Sequence, residues 1–129
     1  MARRIGFAVF VVMLVATGFA HGATVDGIPL HSSSHGAGPR TVILVHGWTC
    51  DDTTWEAQVP ALSKQYRVLT LDLPGHGKSG SPKDGTFSME LFARAVEAVR
   101  SEAKADKVVL VGHSMGTPDR KSTRLNSSH

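Results

Sequence analysis

A serine at position 114 lies at the centre of a Gly112-x-Ser114-x-Gly116 motif, directly after an apolar run that ends at Val111. A serine hydroxyl becomes a useful nucleophile when a base takes its proton and donors await the negative oxygen that forms. The motif is typical of a strand that stops abruptly in a strained turn, which leaves the hydroxyl exposed. Glycines on both sides permit the crowding. The Gly-x-Ser-x-Gly motif alone recurs by chance, so its interpretation depends on the sequence around it.

Two further glycine turns follow apolar runs earlier in the chain. His46-Gly47 closes the run 41–45, and Pro74-Gly75-His76-Gly77 closes the run 67–73. If all three runs are parallel strands, these turns meet at the carboxyl edge of one sheet. Open α/β sheets bind their ligands at that edge. The sequence therefore predicts a single site that is built from three turns.

Two amphipathic stretches alternate with the three predicted strands at 41–45, 67–73 and 107–111. Thr53 and Glu56 form a capping box that predicts a helix to about Gln65, with Trp55, Val59 and Leu62 on its apolar face. Ser88 is the predicted cap of a second helix, whose apolar stripe consists of Leu91, Phe92, Ala95, Val96 and Val99. Continuous apolar strands between helices predict a parallel βαβαβ sheet with helices on both faces.

A weakly alternating segment precedes these elements. Residues 23–33 surround Asp26-Gly27, a turn signal, and predict a short N-terminal hairpin. A Ser/Gly-rich stretch ending at Pro39 follows and is predicted to be a connection.

With these motifs in this order, residues 24–117 resemble the α/β-hydrolase family. The matching segments are Val45-His46-Gly47-Trp48, Asp72-Leu73-Pro74-Gly75-His76-Gly77-Lys78-Ser79 and Gly112-His113-Ser114-Met115-Gly116. The fold class that the resemblance implies is α/β, namely the N-terminal part of an α/β-hydrolase fold. It also implies that Ser114 is the catalytic nucleophile and that the backbone N–H groups of Trp48 and Met115 form the oxyanion hole. The strained turn that carries Ser114 is called the nucleophile elbow, and Gly47, Gly112 and Gly116 are the elbow and turn glycines that the resemblance implies.

The reaction implied by the resemblance is acyl transfer to water through a covalent intermediate on Ser114. A small carboxylic ester is the expected substrate, with amidase, thioesterase, lactonase and C–C hydrolase chemistry left open. Serine at the elbow argues against the dehalogenase and epoxide-hydrolase members. A different class of function, a non-catalytic binding protein on the same scaffold, also stays open.

The resemblance implies a catalytic triad, in which an acid and a histidine base assist the serine. No acid or histidine of this chain fits those two roles. In this fold the order is serine, then acid, then histidine, so His46, His76 and Asp72 come too early. His113 lies beside the serine within the elbow, and Asp72 is predicted to stabilise a turn. We therefore expect a fragment truncated after the elbow, which lacks its triad acid and histidine and is inactive alone.

The two ends of the chain are set apart from the fold. Residues 1–20 combine Arg3 and Arg4 with an apolar stretch and small final residues, which predicts a signal peptide and an exported, periplasmic or extracellular protein. The alternative, a membrane anchor, would need about 20 apolar residues, so no stable membrane insertion is expected after signal removal. Residues 119–129 resemble a translated sequencing-library adapter and are interpreted as a non-native tail, with a natural polar tail as the alternative.

Without these ends, residues 21–118 form the predicted partial hydrolase domain, and its charge changes sign. The whole chain has a formal net charge of +3, whereas residues 21–118 hold 9 Lys and Arg against 10 Asp and Glu. The excess of basic over acidic residues therefore lies in the two ends of the chain, and nucleic acid is not an expected partner.

Rival binding motifs are weak. Gly75-x-Gly77-x-x-Gly80 matches a dinucleotide fingerprint and Gly77-Lys78-Ser79 a P-loop, but Asp72 replaces the required P-loop glycine and Pro82 prevents the helix that should follow. His31 and His35 lie in the Ser-rich segment and are predicted to be solvated, so neither metal nor cofactor is expected. Cys50 is the single cysteine and is interpreted as a small buried side chain, with a free thiol or an external disulfide as alternatives.

Overall fold

The computed structural model describes residues 22–114. The predicted signal peptide, Met115, Gly116 and the tail 119–129 lie outside the described residues. The strands are β1 (Thr24–Val25), β2 (Ile28–Pro29), β3 (Ser32–His35), β4 (Thr41–Val45), β5 (Arg67–Leu71) and β6 (Val108–Gly112). The helices are a 3-10 helix (Asp52–Trp55), α1 (Val59–Leu62) and α2 (Met89–Glu102).

The main sheet has the strand order β3-β5-β4-β6. Strands β5, β4 and β6 are parallel, which confirms the predicted parallel core. Val45 pairs with both Leu71 and Gly112, so the three strands end at nearly the same level. The turns that follow them therefore share one edge of the sheet, as the sequence predicts.

The Ser-rich segment that was predicted to be a connection is a strand instead. Strand β3 pairs antiparallel with β5, with Ser32 opposite Leu71 and His35 opposite Val68. Its side chains are exposed or half-buried, as is usual for a polar strand at a sheet edge. The polar composition of β3 does not predict a strand, because its strand conformation depends on pairing with the apolar strand β5.

The short opening hairpin is confirmed. β1 and β2 form their own antiparallel pair around Asp26 and Gly27, whose φ values are 50° and 76°. Two successive residues with positive φ are typical of a tight hairpin turn.

Alternate residues of the strands enter two separate cores, which confirms that helices cover both faces. Ile43, Val45, Leu69 and Leu71 pack with the hairpin and with α2. On the other face, Val42, Leu44 and Val68 pack with Trp55, Val59 and Leu62. The predicted apolar stripe of α2 is buried as a whole, and the Ser88 hydroxyl accepts a hydrogen bond from the Leu91 N–H at 3.1 Å. The predicted cap is therefore confirmed.

The first helical segment differs from its prediction. The sequence predicts one helix from Thr53 to about Gln65, but the chain forms the 3-10 helix and then the separate short helix α1. Pro60 stands in the first turn of α1, where its missing N–H is tolerated, and a longer helix through it would lose a hydrogen bond. The cap is Asp51, whose side chain accepts from the Thr53 N–H, rather than Thr53 itself. In residues 22–114 no helix is long and apolar enough to cross a membrane.

Candidate active site

Ser114 lies just past the end of β6, is exposed, and has a φ of 55°. Serine adopts this left-handed conformation at a steric penalty, which persists only where the surroundings hold it. The His113 N–H donates to the Val45 carbonyl at 3.1 Å and ties the turn to the neighbouring strand. The geometry is that of a strained strand-end serine, which the motif predicts.

Gly47 brings the turn after β4 against this serine. A β-carbon built on Gly47 would lie 3.0 Å from the Ser114 Cβ and 3.1 Å from the His113 carbonyl oxygen. The two turns are thus in contact, and a β-carbon at position 47 would require a neighbour to shift by a few tenths of an ångström. Trp48 follows in the same loop with 53% of its surface exposed.

His46 is fully buried between the first and second turns and joins them. Its Nδ1 lies 2.7 Å from the Gly47 carbonyl oxygen, and its Nε2 accepts a hydrogen bond from the Leu73 N–H at 3.0 Å. A carbonyl accepts only, so the Nδ1 carries the proton and the ring is neutral. Burial lowers the pKa of His46 below its ordinary value of 6.5, and the adjacent His76 lowers it further. Both nitrogens are engaged, so His46 is not available as the general base.

His76 and three aromatic side chains form a cluster beside this junction. The His76 ring centroid is 5.1 Å from that of His46 and 5.2 Å from that of Trp48, and Trp48 makes an edge contact with Phe87 at 6.4 Å. Phe87 stacks on Phe92 of α2 and covers Gly75, where a β-carbon would collide with its ring. Phe87 was not predicted from the sequence, since no motif includes it.

Asp72 organises the turn after β5, as predicted. Its buried carboxylate accepts hydrogen bonds from the Asp52 and Lys78 N–H groups, both at 2.8 Å, and its carbonyl accepts from the Ser79 hydroxyl at 2.6 Å. Gly77 packs directly on that carboxylate. Because the loop wraps a carboxylate and α2 begins only at Met89, it is not shaped as a phosphate cradle.

His31 and His35 are half-buried, so the predicted solvation is only partial. The His31 Nε2 lies 3.5 Å from an Asp52 carboxylate oxygen. Ligand atoms of His31, Asp52 and Asp72 lie within 4.8 Å of one another, and these residues could approach a metal ion. Both Asp72 oxygens, however, already accept backbone hydrogen bonds. Cys50 is half-buried, so its predicted burial is only partial, and it forms no disulfide within the described residues.

Comparison with known proteins agrees with this geometry. A family model described as the alpha/beta hydrolase fold matches residues 40–118. The chain is 37% identical over 94 residues to the dihydrolipoyllysine-residue acetyltransferase component of the acetoin cleaving system of Cupriavidus necator, covering 73% of this chain and 25% of the relative. It is also 37% identical over 81 residues to the pimeloyl-[acyl-carrier protein] methyl ester esterase of Edwardsiella ictaluri, covering 63% and 29%.

A solved structure matches as well. The enol-lactonase of Burkholderia xenovorans LB400 superposes with a TM-score of 0.68 at 34% identity, covering 73% of this chain and 37% of that one. The chain therefore spans about a quarter to a little over a third of the length of these proteins.

Proposed function

The chain belongs to the α/β hydrolase fold family, and from that membership we propose that it is part of a serine hydrolase that cleaves carboxylic esters with Ser114 as the nucleophile. The observation that carries the proposal is the left-handed, exposed Ser114 held against Gly47 at the carboxyl edge of the sheet. This placement brings the Ser114 Cβ beside the backbone of the turn after β4.

The proposed reaction has two steps. The Ser114 hydroxyl oxygen attacks the ester carbonyl while a base takes its proton, and the alcohol leaves with a proton returned by that base. Water then attacks the acyl-serine, which releases the carboxylic acid and restores the hydroxyl. The N–H groups of Trp48 and Met115 are the proposed donors to the oxyanion in both steps.

The base and its acid partner are proposed to lie in sequence that follows these residues in the complete protein. Within residues 22–114, His46 has both nitrogens engaged, and the Asp72 carboxylate is buried beneath the turn after β5. The 129-residue chain is accordingly proposed to be inactive alone.

An ester is the favoured substrate because of the chemistry of serine and of two relatives. A serine nucleophile forms an acyl intermediate from an ester or lactone. One relative is a methyl ester esterase, and the matched structure is an enol-lactonase. We further propose that residues 1–20 direct export to the periplasm or beyond, and that residues 119–129 are not native.

Kinetics on the complete gene product would test the function. We expect the purified protein to hydrolyse p-nitrophenyl butyrate, and Ser114→Ala to lower kcat to the background rate. Turnover that survives Ser114→Ala would contradict the assignment. Binding of esters without turnover, in a gene product without a downstream acid and histidine, would instead show a binding protein on this scaffold.

A further inference from the structure

The His46 ring donates a hydrogen bond to the peptide unit between Gly47 and Trp48, which carries the proposed oxyanion donor, the Trp48 N–H. The acceptor is the carbonyl of Gly47, which shares one peptide bond with the N–H of Trp48. A peptide unit is planar, with carbonyl and N–H pointing in opposite directions. Whatever fixes the Gly47 oxygen therefore fixes the direction of the Trp48 N–H as well.

We propose that His46 is a positioning residue that aims the Trp48 N–H at the oxyanion, an inference that rests on the function proposed above. Gly47 has no side chain to restrain its backbone, and the next residue but one, Thr49, has a φ of 62°. The Gly47 carbonyl accepts a second, longer bond from the Cys50 N–H at 3.3 Å. The shorter bond from the buried ring is the stronger restraint on this peptide.

The opposite side of the ring anchors it. The Leu73 N–H donates to the His46 Nε2 at 3.0 Å, so the imidazole is held from the turn after β5 while it holds the turn after β4. His76 packs on the ring at a centroid distance of 5.1 Å and also touches Trp48. One tautomer satisfies both bonds, with the proton on Nδ1.

Two substitutions separate the two bonds. In His46→Asn, the amide nitrogen takes the place of Nδ1 and can still donate to the Gly47 carbonyl, but nothing reaches Leu73. In His46→Gln, the amide oxygen takes the place of Nε2 and can accept from Leu73, but the donor to Gly47 is lost. Each variant loses one of the two hydrogen bonds of the His46 ring, and urea unfolding of both variants checks that their stabilities are comparable.

In the complete gene product, we expect kcat of His46→Gln to fall at least about tenfold below that of His46→Asn, with similar KM values. Deletion of an oxyanion donor typically lowers kcat by about 10²–10³, and misdirection of one should give part of that loss. A purely structural role predicts equal kcat values in the two variants, and that result would overturn the proposal.

Nuclear magnetic resonance gives a readout that does not need turnover. In the complete protein labelled with ¹⁵N, we expect the His46 ring to be protonated at Nδ1, and the Trp48 amide proton shift to move in His46→Gln but much less in His46→Asn. An Nε2-protonated ring, or equal shifts in both variants, would refute the positioning role. Absence of turnover in the unsubstituted protein, with these shifts as expected, would refute the proposed function alone.

Discussion

At position 47, glycine lets the turn after β4 lie directly against Ser114. A β-carbon at position 47 would be crowded against the Ser114 Cβ and the His113 carbonyl, and glycine avoids that crowding. Both residues lie in turns, so the contact is also one between two strand ends. The proposed chemistry requires that contact, because the oxyanion donor and the nucleophile come from different turns.

We predict that Gly47→Ala displaces one turn from the other. A β-carbon there would meet the Ser114 Cβ at 3.0 Å, and overpacking of this kind typically lowers the free energy of unfolding by about 1–3 kcal/mol. In the complete gene product kcat should fall at least about tenfold, since the oxyanion donor moves. Urea unfolding and ester kinetics measure the two effects.

Gly22→Ala is the matched control, because a β-carbon there would make only an ordinary contact with the Leu30 carbonyl at 3.5 Å. It should change stability by less than about 0.5 kcal/mol. If Gly47→Ala behaves like Gly22→Ala in both assays, the close approach of the two turns is not needed.

Burial of His46 predicts a pH dependence of stability. The pKa of folded His46 is lowered from 6.5 by burial and by His76, against opposing effects of the Gly47 carbonyl, Asp72 and Asp51. Below pH 6.5 the unfolded chain binds a proton that the folded one resists. The His46 contribution is therefore intact above that pH and is lost as the pH falls toward the lowered pKa, by at most about 1.4 kcal/mol per pH unit.

Urea unfolding at several pH values, with His46→Gln as the reference, would measure this contribution. The variant retains the other histidines, so the difference between the two curves isolates His46. A free energy of unfolding whose pH dependence is identical in both proteins would contradict the neutral buried ring.

Residue roles were predictable from the sequence where they depend on neighbours along the chain. Ser114 follows from its motif, and Asp72 follows from the turn it begins. The role of His46 could not be predicted, because its partner Leu73 lies 27 residues away. Phe87 was missed for the same reason, since its contacts with Trp48 and Gly75 come only from the fold.

At the scale of elements, apolar runs identified the buried strands and amphipathic spacing identified α2. Strands β4, β5 and β6 are apolar, and their predicted bounds agree with the structure to within two residues. Strand β3 escaped prediction because its sequence, Ser32 to His35, is polar and its strand character comes from pairing with β5. Pro60 is the sequence signal that argues against one continuous first helix. The capping box at Thr53 favoured a single helix.

The cap of α2 can be tested on its own. Ser88→Ala removes the acceptor of the Leu91 N–H and should lower the free energy of unfolding by about 1 kcal/mol. Ser101→Ala, in the last turn of the same helix, should change it by less than about 0.5 kcal/mol. Equal effects of the two substitutions in urea unfolding would show that Ser88 does not cap α2.

At the scale of the molecule, the described sheet presents an apolar surface at β6. Val109 and Val111 are 54% and 38% exposed, and β6 forms the last strand of the described sheet. An apolar edge strand is a template for pairing with another chain. The topology of this sheet was predictable in its parallel part, whereas the placement of β3 beside β5 required the three-dimensional pairing.

We therefore predict that the purified 129-residue chain associates in a concentration-dependent manner. Val109→Lys should shift it toward the monomer, because a charged side chain on an edge strand opposes pairing. Size-exclusion chromatography with light scattering measures the change, and Lys64→Gln, at an exposed position that follows α1, serves as a control substitution outside β6. A chain that stays monomeric and melts cooperatively at all concentrations would contradict this prediction.

The identity of the nucleophile is tested most directly by trapping it. After reaction of the complete gene product with a fluorophosphonate, mass spectrometry of the intact protein and of its peptides should show one phosphonyl group, attached to Ser114, and none in Ser114→Ala. A phosphonyl group on another residue, or equal labelling of Ser114→Ala, would contradict the account.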